Sequence, residues 1–372
     1  MRIGPFEFNL RELAGSMGDF GTLLPLVIGY ITVCGMNPAG LLVMLGVANV
    51  ATGLIYRLPM PLQPMKVLAV MAIAGAWAPR KIYAAGITMG VVWLLMGATG
   101  AMTHVARWTP KTVVWGIQLS LGLMLGLKGL EMMSGWWILG IASVLIVLLL
   151  RENRYAPAAI VLVGVGVLIM GLRGELSGLR GLSLTLPPLT PIEPDLLWPA
   201  FRDGGLAQIP LTATNAVIAT SALISQYWPH RNVTERQLSI NMGVMNLVVP
   251  FFGGMPMCHG AGGLAGQYYF GARTGGTNII EGTIEVALGL FLAGSIATLF
   301  AAFPMAIVGG MMLMVGIELF KFARDLRLDL RLVPVGATIV GSVALNMAVG
   351  FAAGMILHYL VLGRPEESDD EE

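Results

Sequence analysis

The sequence predicts an all-α polytopic membrane protein of about fourteen spanning segments, arranged as two inverted halves of seven. Three observations point there: a composition too apolar for a water-facing surface, apolar segments filling nearly the whole chain, and motifs recurring 194 or 195 residues apart. Of 372 residues, 56% are hydrophobic and 12% charged, against about 25% charged in a soluble domain. Mean hydropathy is +0.78. The 49 glycines suit helices that approach closely in lipid. A net charge of +1 gives no basis for nucleic-acid binding or a polybasic membrane tether. The two cysteines, Cys34 and Cys258, sit in apolar surroundings and argue against a disulfide framework or thiolate metal cluster. No cofactor or metal is expected.

A spanning helix needs about 20 apolar residues. Apolar segments fall at 12–33, 38–57, 64–77, 82–105, 110–128, 134–150, 155–172, 203–226, 236–252, 259–271, 280–302, 304–321, 331–345 and 347–363. The third and tenth are too short to cross as continuous helices. No removable signal peptide is expected, because the first apolar stretch is long, contains Asp19 and lacks a cleavage site after a basic region. Orientation follows from Lys and Arg. With the N-terminus inside, Arg80, Lys81, Lys128, Arg173, Arg180 and Arg202 fall outside and Lys66 lies within the membrane, leaving 15 of 22 inside. Both termini are therefore expected in the cytoplasm, and residues 364–372 read as a solvated acidic tail.

Met60-Pro61 recurs as Met255-Pro256, Pro110 as Pro304 and Gly122 as Gly316. The offset divides the chain into a first repeat, 1–180, and a second, 181–363. Seven spans is an odd number, so the second half would enter the membrane upside down, the plan of secondary transporters with a site at the repeat interface. The same positions locate that site. Prolines 59, 61 and 64 cannot continue a helix. The counterpart from Phe252 to Gly263 is broken by glycine. Non-helical backbone at membrane depth is tolerated only where protein or a wet cavity satisfies it. Two half-helices, 64–77 and 259–271, would then point their N-termini at each other near the midplane. Free N–H groups and the positive dipole ends suit an anion.

The same residues carry a resemblance. Phe251-Phe252-Gly253-Gly254-Met255-Pro256 followed by Gly271-Ala272-Arg273-Thr274 is similar to a signature of the sulfate permease superfamily. Pro59-Met60-Pro61-Leu62-Gln63-Pro64-Met65-Lys66, the run from Met255 to Tyr268, and Gly18-Asp19-Phe20-Gly21-Thr22 resemble its molybdate transporter branch. The resemblance covers about residues 8–362. It implies the seven-plus-seven inverted-repeat fold split into core and gate subdomains, and uptake of molybdate, with sulfate or tungstate as related oxyanions. The sequence leaves no room for the C-terminal cytoplasmic domain of the broader permeases, so a homodimer is left as one open assembly.

Lys66 heads the first half-helix. A charge at the bilayer centre costs about 2.5–3.5 kcal/mol, so it needs a partner. It serves the anion, or it pairs structurally with Asp19, or it snorkels to the cytoplasmic face. Asp19 would repel an anion as a direct ligand. It reads instead as a proton acceptor or as the partner of Lys66. Gln63, Thr22, Thr212, Thr214 and Asn215 supply neutral donors, with interhelical hydrogen bonding as the alternative. Cys258 belongs to the second broken stretch and joins the binding set. His259 either donates to substrate or bonds a backbone carbonyl. Gly260, Gly262 and Gly263 would expose N–H groups to the anion, or serve packing. Glu281 and Glu285, four apart, share one helix face and read as a core lining or a proton path. Arg273 reads as an interfacial anchor.

The expectation is a secondary active, proton-coupled molybdate importer of the cytoplasmic (inner) membrane, with a sulfate or general oxyanion transporter as the alternative. A nucleobase permease of the same fold fits less well, because Thr212, Thr214 and Asn215 bring no acid to the eighth span. An anion channel differs only in whether a pH gradient drives accumulation. An enzyme is not expected: no phosphate-cradling loop, metal-spaced His cluster or Ser-His-Asp set occurs.

Overall fold

The computed structural model describes residues 1–150, 158–178, 181–324, 326 and 329–363. The acidic tail, Arg151, Arg154, Arg180, Arg327 and Arg364 lie outside them. A short hairpin, β1 (Arg2–Ile3) with β2 (Phe6–Glu7), opens the chain. Helices α1 (Leu10–Ser16) and α2 (Phe20–Thr32) follow, where one straight segment was expected. The chain bends there by 57°.

Asn37 accepts from Gly40 N, and Pro38 needs no N–H partner, so α3 starts sharply at Pro38 and runs to Tyr56. Strand β3 (Gln63–Pro64) and the nine-residue α4 (Lys66–Ala74) follow, then α5 (Pro79–Thr99), α6 (Ala101–Trp108), α7 (Lys111–Met133), α8 (Trp137–Leu150) and α9 (Ala158–Leu172). Helix α10 (Pro194–Tyr227) begins nine residues before the expected span. It survives Pro199 and Pro210 because a π-helical stretch follows each, at Phe201–Gly205 and Thr212–Ile218. Proline removes an N–H and crowds the carbonyl four back, so the ladder slips by one residue instead of breaking. A capping box between Thr234 and Gln237 starts α11 (Glu235–Val248). Strand β4 (Met257–Cys258), α12 (Ala261–Phe270), α13 (Gly276–Ala302), α14 (Met305–Phe320), α15 (Leu332–Ala344) and α16 (Met347–Val361) complete the chain.

Helices α3, α5, α7, α10 and α13 (the last over Gly276–Ile296) are long and apolar enough to cross a membrane, and the bent α1–α2 pair would make a sixth. Helices α8, α14, α15 and α16 are apolar but shorter. The main helix contacts run between the halves: α3 packs on α13, α5 on α11 and α7 on α14. Small residues permit this. A Cβ on Gly122 would stand 2.8 Å from the Gly316 carbonyl oxygen, and one on Gly316 would stand 2.7 Å from that of Gly122. These recurring glycines thus touch each other where α7 crosses α14, and the recurring Pro110 and Pro304 occupy the N-caps of those two helices.

Candidate anion site at the paired breaks

The two broken stretches meet. Strands β3 and β4 pair antiparallel, Gln63 opposite Cys258 and Pro64 opposite Met257, and Met65 N donates to Pro256 O at 3.0 Å. Two residues of ladder are all that the prolines permit, so side chains hold the rest. Asn278 of α13 clamps Met60, accepting from its N–H at 2.9 Å and donating to its carbonyl at 2.6 Å. Asn246 of α11 clamps Met257 in the same way, at 2.9 and 2.7 Å. Each clamp replaces the sheet partner that the break removes.

Helix α4 starts from this pairing at Lys66, and α12 at Ala261. Neither has a side-chain N-cap. Gln63 is 2% exposed and sits against the start of α12. A Cβ on Gly260 would lie 2.8 Å from Gln63 Oε1, and one on Gly263 would strike Gln63 Nε2 and lie 2.9 Å from Pro61 Cβ and 3.0 Å from Asp19 Oδ2. Both glycines therefore make room for the Gln63 amide. Gly262 has open space around it and no such duty.

A small cavity adjoins the pairing, lined by Gln63, Lys66, Gln208, Leu211, Thr212, Asn215, Ala216 and Cys258. Its volume is about 10 Å³, room for a single water. The structure thus gathers Gln63, Lys66, Thr212, Asn215 and Cys258 from three distant stretches of chain. The π turn of α10 places Thr212 and Asn215 on this wall. Gln208 also lines it, accepting from Val67 N–H in the first turn of α4 at 2.9 Å. Sequence reading passed over Gln208; a glutamine inside an apolar span beside Pro210 was the available signal.

Other candidates lie elsewhere. Thr22 is half-buried in the first turn of α2 and is not a lining residue. Thr214 turns its hydroxyl to Pro210 O at 2.9 Å. His259 is buried, with Nδ1 3.2 Å from Pro61 O, Nε2 3.1 Å from Asn241 Oδ1, and its ring edge-on to Tyr56. Both ring nitrogens thus have partners within the protein. Asp19 is 6% exposed, its Oδ2 has no hydrogen-bond partner, and Lys66 acts on it electrostatically beside the Gln63 amide. Glu281 and Glu285 are buried in α13, behind the pairing. Asn49 donates to Glu285 at 2.8 Å and accepts from the Asn278 that clamps Met60, at 2.9 Å. A hydrogen-bonded chain therefore joins the first break to a buried carboxylate. Gln267 Nε2 lies 3.4 Å from Glu281 Oε2.

A fourth buried acid, Glu12, has no motif to mark it. Its carboxylate accepts from Arg273 N and Thr274 N, each at 3.1 Å, and from the Thr277 hydroxyl. It ties α1 to the turn between α12 and α13. Arg273 closes the end of α12, donating to the carbonyls of Tyr268 and Ala272 at 2.7 Å and lying 3.7 Å over the Tyr268 ring.

The fold is similar to solved structures of anion carriers. An SLC26A9 structure superposes with a TM-score of 0.72 at 13% identity, covering 95% of this chain, which spans 65% of that protein. The transmembrane domain of a cyanobacterium bicarbonate transporter, BicA, superposes at 0.63 with 16% identity, covering 92% of this chain and 96% of that one. Molybdate transporter 2 of Arabidopsis thaliana is 31% identical over 94% of this chain and 87% of its own length. The family model described as molybdate transporter of the MFS superfamily matches residues 11–125 and 200–319. The family model and this relative agree over most of the chain, which is helical and membrane-like, and the chain belongs to the molybdate transporter family.

Proposed function

We propose that the protein imports molybdate by secondary active transport, binding the oxyanion between the N-termini of α4 and α12. The observation that carries this is the pairing of β3 with β4. It brings the start of α4, with Lys66, to a cavity shared by the neutral groups of Gln63, Thr212 and Asn215, and it sets the start of α12 against Gln63. A tetrahedral dianion offers acceptor lone pairs on all four oxygens, and Gln63, Lys66, Thr212 and Asn215 supply donors without a surplus of charge that would impede release. The cavity has room for about a single water, so it must widen to hold such an anion. That movement is the step an alternating-access carrier needs.

In this reading α4 and α12 are half-helices of fourteen segments, seven in each inverted repeat, 1–180 and 181–363. The reciprocal contacts α3–α13 and α5–α11 and the self-contact α7–α14 support a two-fold relation between the halves. Both termini face the cytoplasm of a cell whose inner membrane holds the protein. Protons drive uptake: Asp19 stands beside Lys66, and Glu281 and Glu285 lie behind it, so protonation of Asp19 frees Lys66 for the anion. The test is calorimetry on the purified protein with molybdate, sulfate and uracil in parallel. Tight molybdate with weak sulfate supports the reading, equal affinities make it a general oxyanion carrier, and binding of uracil alone overturns it.

A further inference from the structure

We infer that Gln208 is a positioning residue that fixes the polarity of the Thr212 hydroxyl, so that this hydroxyl donates into the cavity and favours a bare oxyanion oxygen there. The inference rests on the oxyanion site proposed above and deepens it.

The argument is one of donor bookkeeping. A glutamine amide has one acceptor end and one donor end, and either could face Thr212. Here the choice is forced. Val67 N–H, in the first turn of α4 and without an intrahelical acceptor, can only donate, and Gln208 Oε1 accepts it at 2.9 Å. The other end, Nε2, must then face Thr212, and it donates to Oγ1 at 2.7 Å. Gln208 is 1% exposed and Thr212 is 1% exposed, so water cannot scramble this arrangement. A hydroxyl that accepts from Gln208 still has its own proton to give. Helical threonines usually give it to a carbonyl of the preceding turn, as Thr214 does to Pro210 and Thr220 does to Asn215. Thr212 makes no such bond among the described residues, and it lines the cavity beside Lys66 and Asn215.

The backbone of α4 thereby sets the sign of a hydroxyl on α10, through one amide. A wall that presents O–H and N–H protons meets the bare oxygens of a dianion favourably. A protonated oxyanion turns an O–H of its own against the same donors and loses one bond.

The test is a double-mutant cycle on molybdate affinity, measured by calorimetry at mildly alkaline pH. Thr212→Val and Gln208→Leu should each weaken binding on the order of tenfold, the worth of a hydrogen bond to a charged group. The double variant should be no weaker than the weaker single variant, because Gln208 acts only through the hydroxyl. Multiplying losses, on the order of a hundredfold, would overturn the inference while leaving the oxyanion site standing. Gln208→Glu provides the same cycle should the leucine variant not fold. It keeps the bond to Val67, and its charge acts equally in both backgrounds. Coupling between Gln208→Glu and Thr212→Val supports the inference, and zero coupling overturns it. Thr212→Ser keeps the hydroxyl and should restore near wild-type affinity; a loss equal to that of Thr212→Val also overturns it. Absence of molybdate binding in the unaltered protein would remove the proposed function and this inference together.

Discussion

Gly263→Ala tests whether the Gln63 amide belongs to the anion site, and Gly262→Ala is its neighbouring control. A methyl group at 263 would strike Gln63 Nε2, with Pro61 Cβ at 2.9 Å and Asp19 Oδ2 at 3.0 Å closing the other directions. The proline ring cannot rotate away, so the amide must leave. Overpacking of this kind costs about 1–3 kcal/mol, of which a helical Gly→Ala exchange returns roughly 0.5–1. Stability therefore falls by about 0–2.5 kcal/mol, and in the folded protein the anion loses the Gln63 hydrogen bond. A bond to a charged group contributes about 1.5–3 kcal/mol, or roughly 10- to 140-fold in affinity. Gly262→Ala meets nothing within 4 Å and keeps its N–H, so affinity should match the unaltered protein. Calorimetry with molybdate on both variants, with thermal unfolding alongside, separates the cases. Unchanged affinity in Gly263→Ala would refute the placement of Gln63. Equal losses in both variants would show that the first turn of α12 responds as a unit, independent of that amide.

Lys66→Ala removes the cationic side chain of the cavity wall and should weaken molybdate binding by at least roughly tenfold without lowering the unfolding temperature; retained binding would move the site elsewhere. Asp19→Asn should leave molybdate binding in place but abolish accumulation driven by a pH gradient in proteoliposomes, and persistent gradient-driven uptake would remove Asp19 from the coupling. Glu12→Ala strips the partner from Arg273 N, Thr274 N and the Thr277 hydroxyl and should destabilise the protein on the order of 3 kcal/mol while the folded fraction binds molybdate normally. An unchanged unfolding temperature would show that this tie contributes nothing.

What was legible in the sequence was what depends on neighbours along the chain. Pro59, Pro61 and Pro64 forbid helix by their own covalent structure, so the first break could be read directly. Many of the helices could be read because they are runs of apolar residues closed by Pro, Gly or Asn, as α3 is opened by Asn37-Pro38 and α12 is closed by Gly271. The pairing of Gln63 with Cys258 was not legible in register, since two strands of two residues carry no alternation to align. Gln208 escaped for a related reason. Its meaning depends on an N–H 141 residues away, and nothing local distinguishes it from a glutamine bonding between helices. Glu12 sits in a segment read as the start of a straight span, and only the 57° bend brings it over the turn at Arg273. His259 shows the converse. Its place in the motif left substrate and a backbone carbonyl equally open, and its position in space sets its ring against Pro61 O and Asn241 Oδ1.

The pairing of β3 with β4 also sets a condition on biogenesis. Gln63 waits for Cys258, which leaves the ribosome 195 residues later. At about 5–20 residues per second that interval is roughly 10–40 seconds. Throughout it the first break lies at the membrane with the backbone of Met60 and Met65 lacking Asn278 and Pro256, and with Lys66 already inserted. Neither half can complete the cavity alone, so a truncated nascent chain holds an unfinished polar wound in lipid. Insertion machinery that shelters polar segments until late helices arrive is therefore as much a determinant of yield for this protein as its final stability.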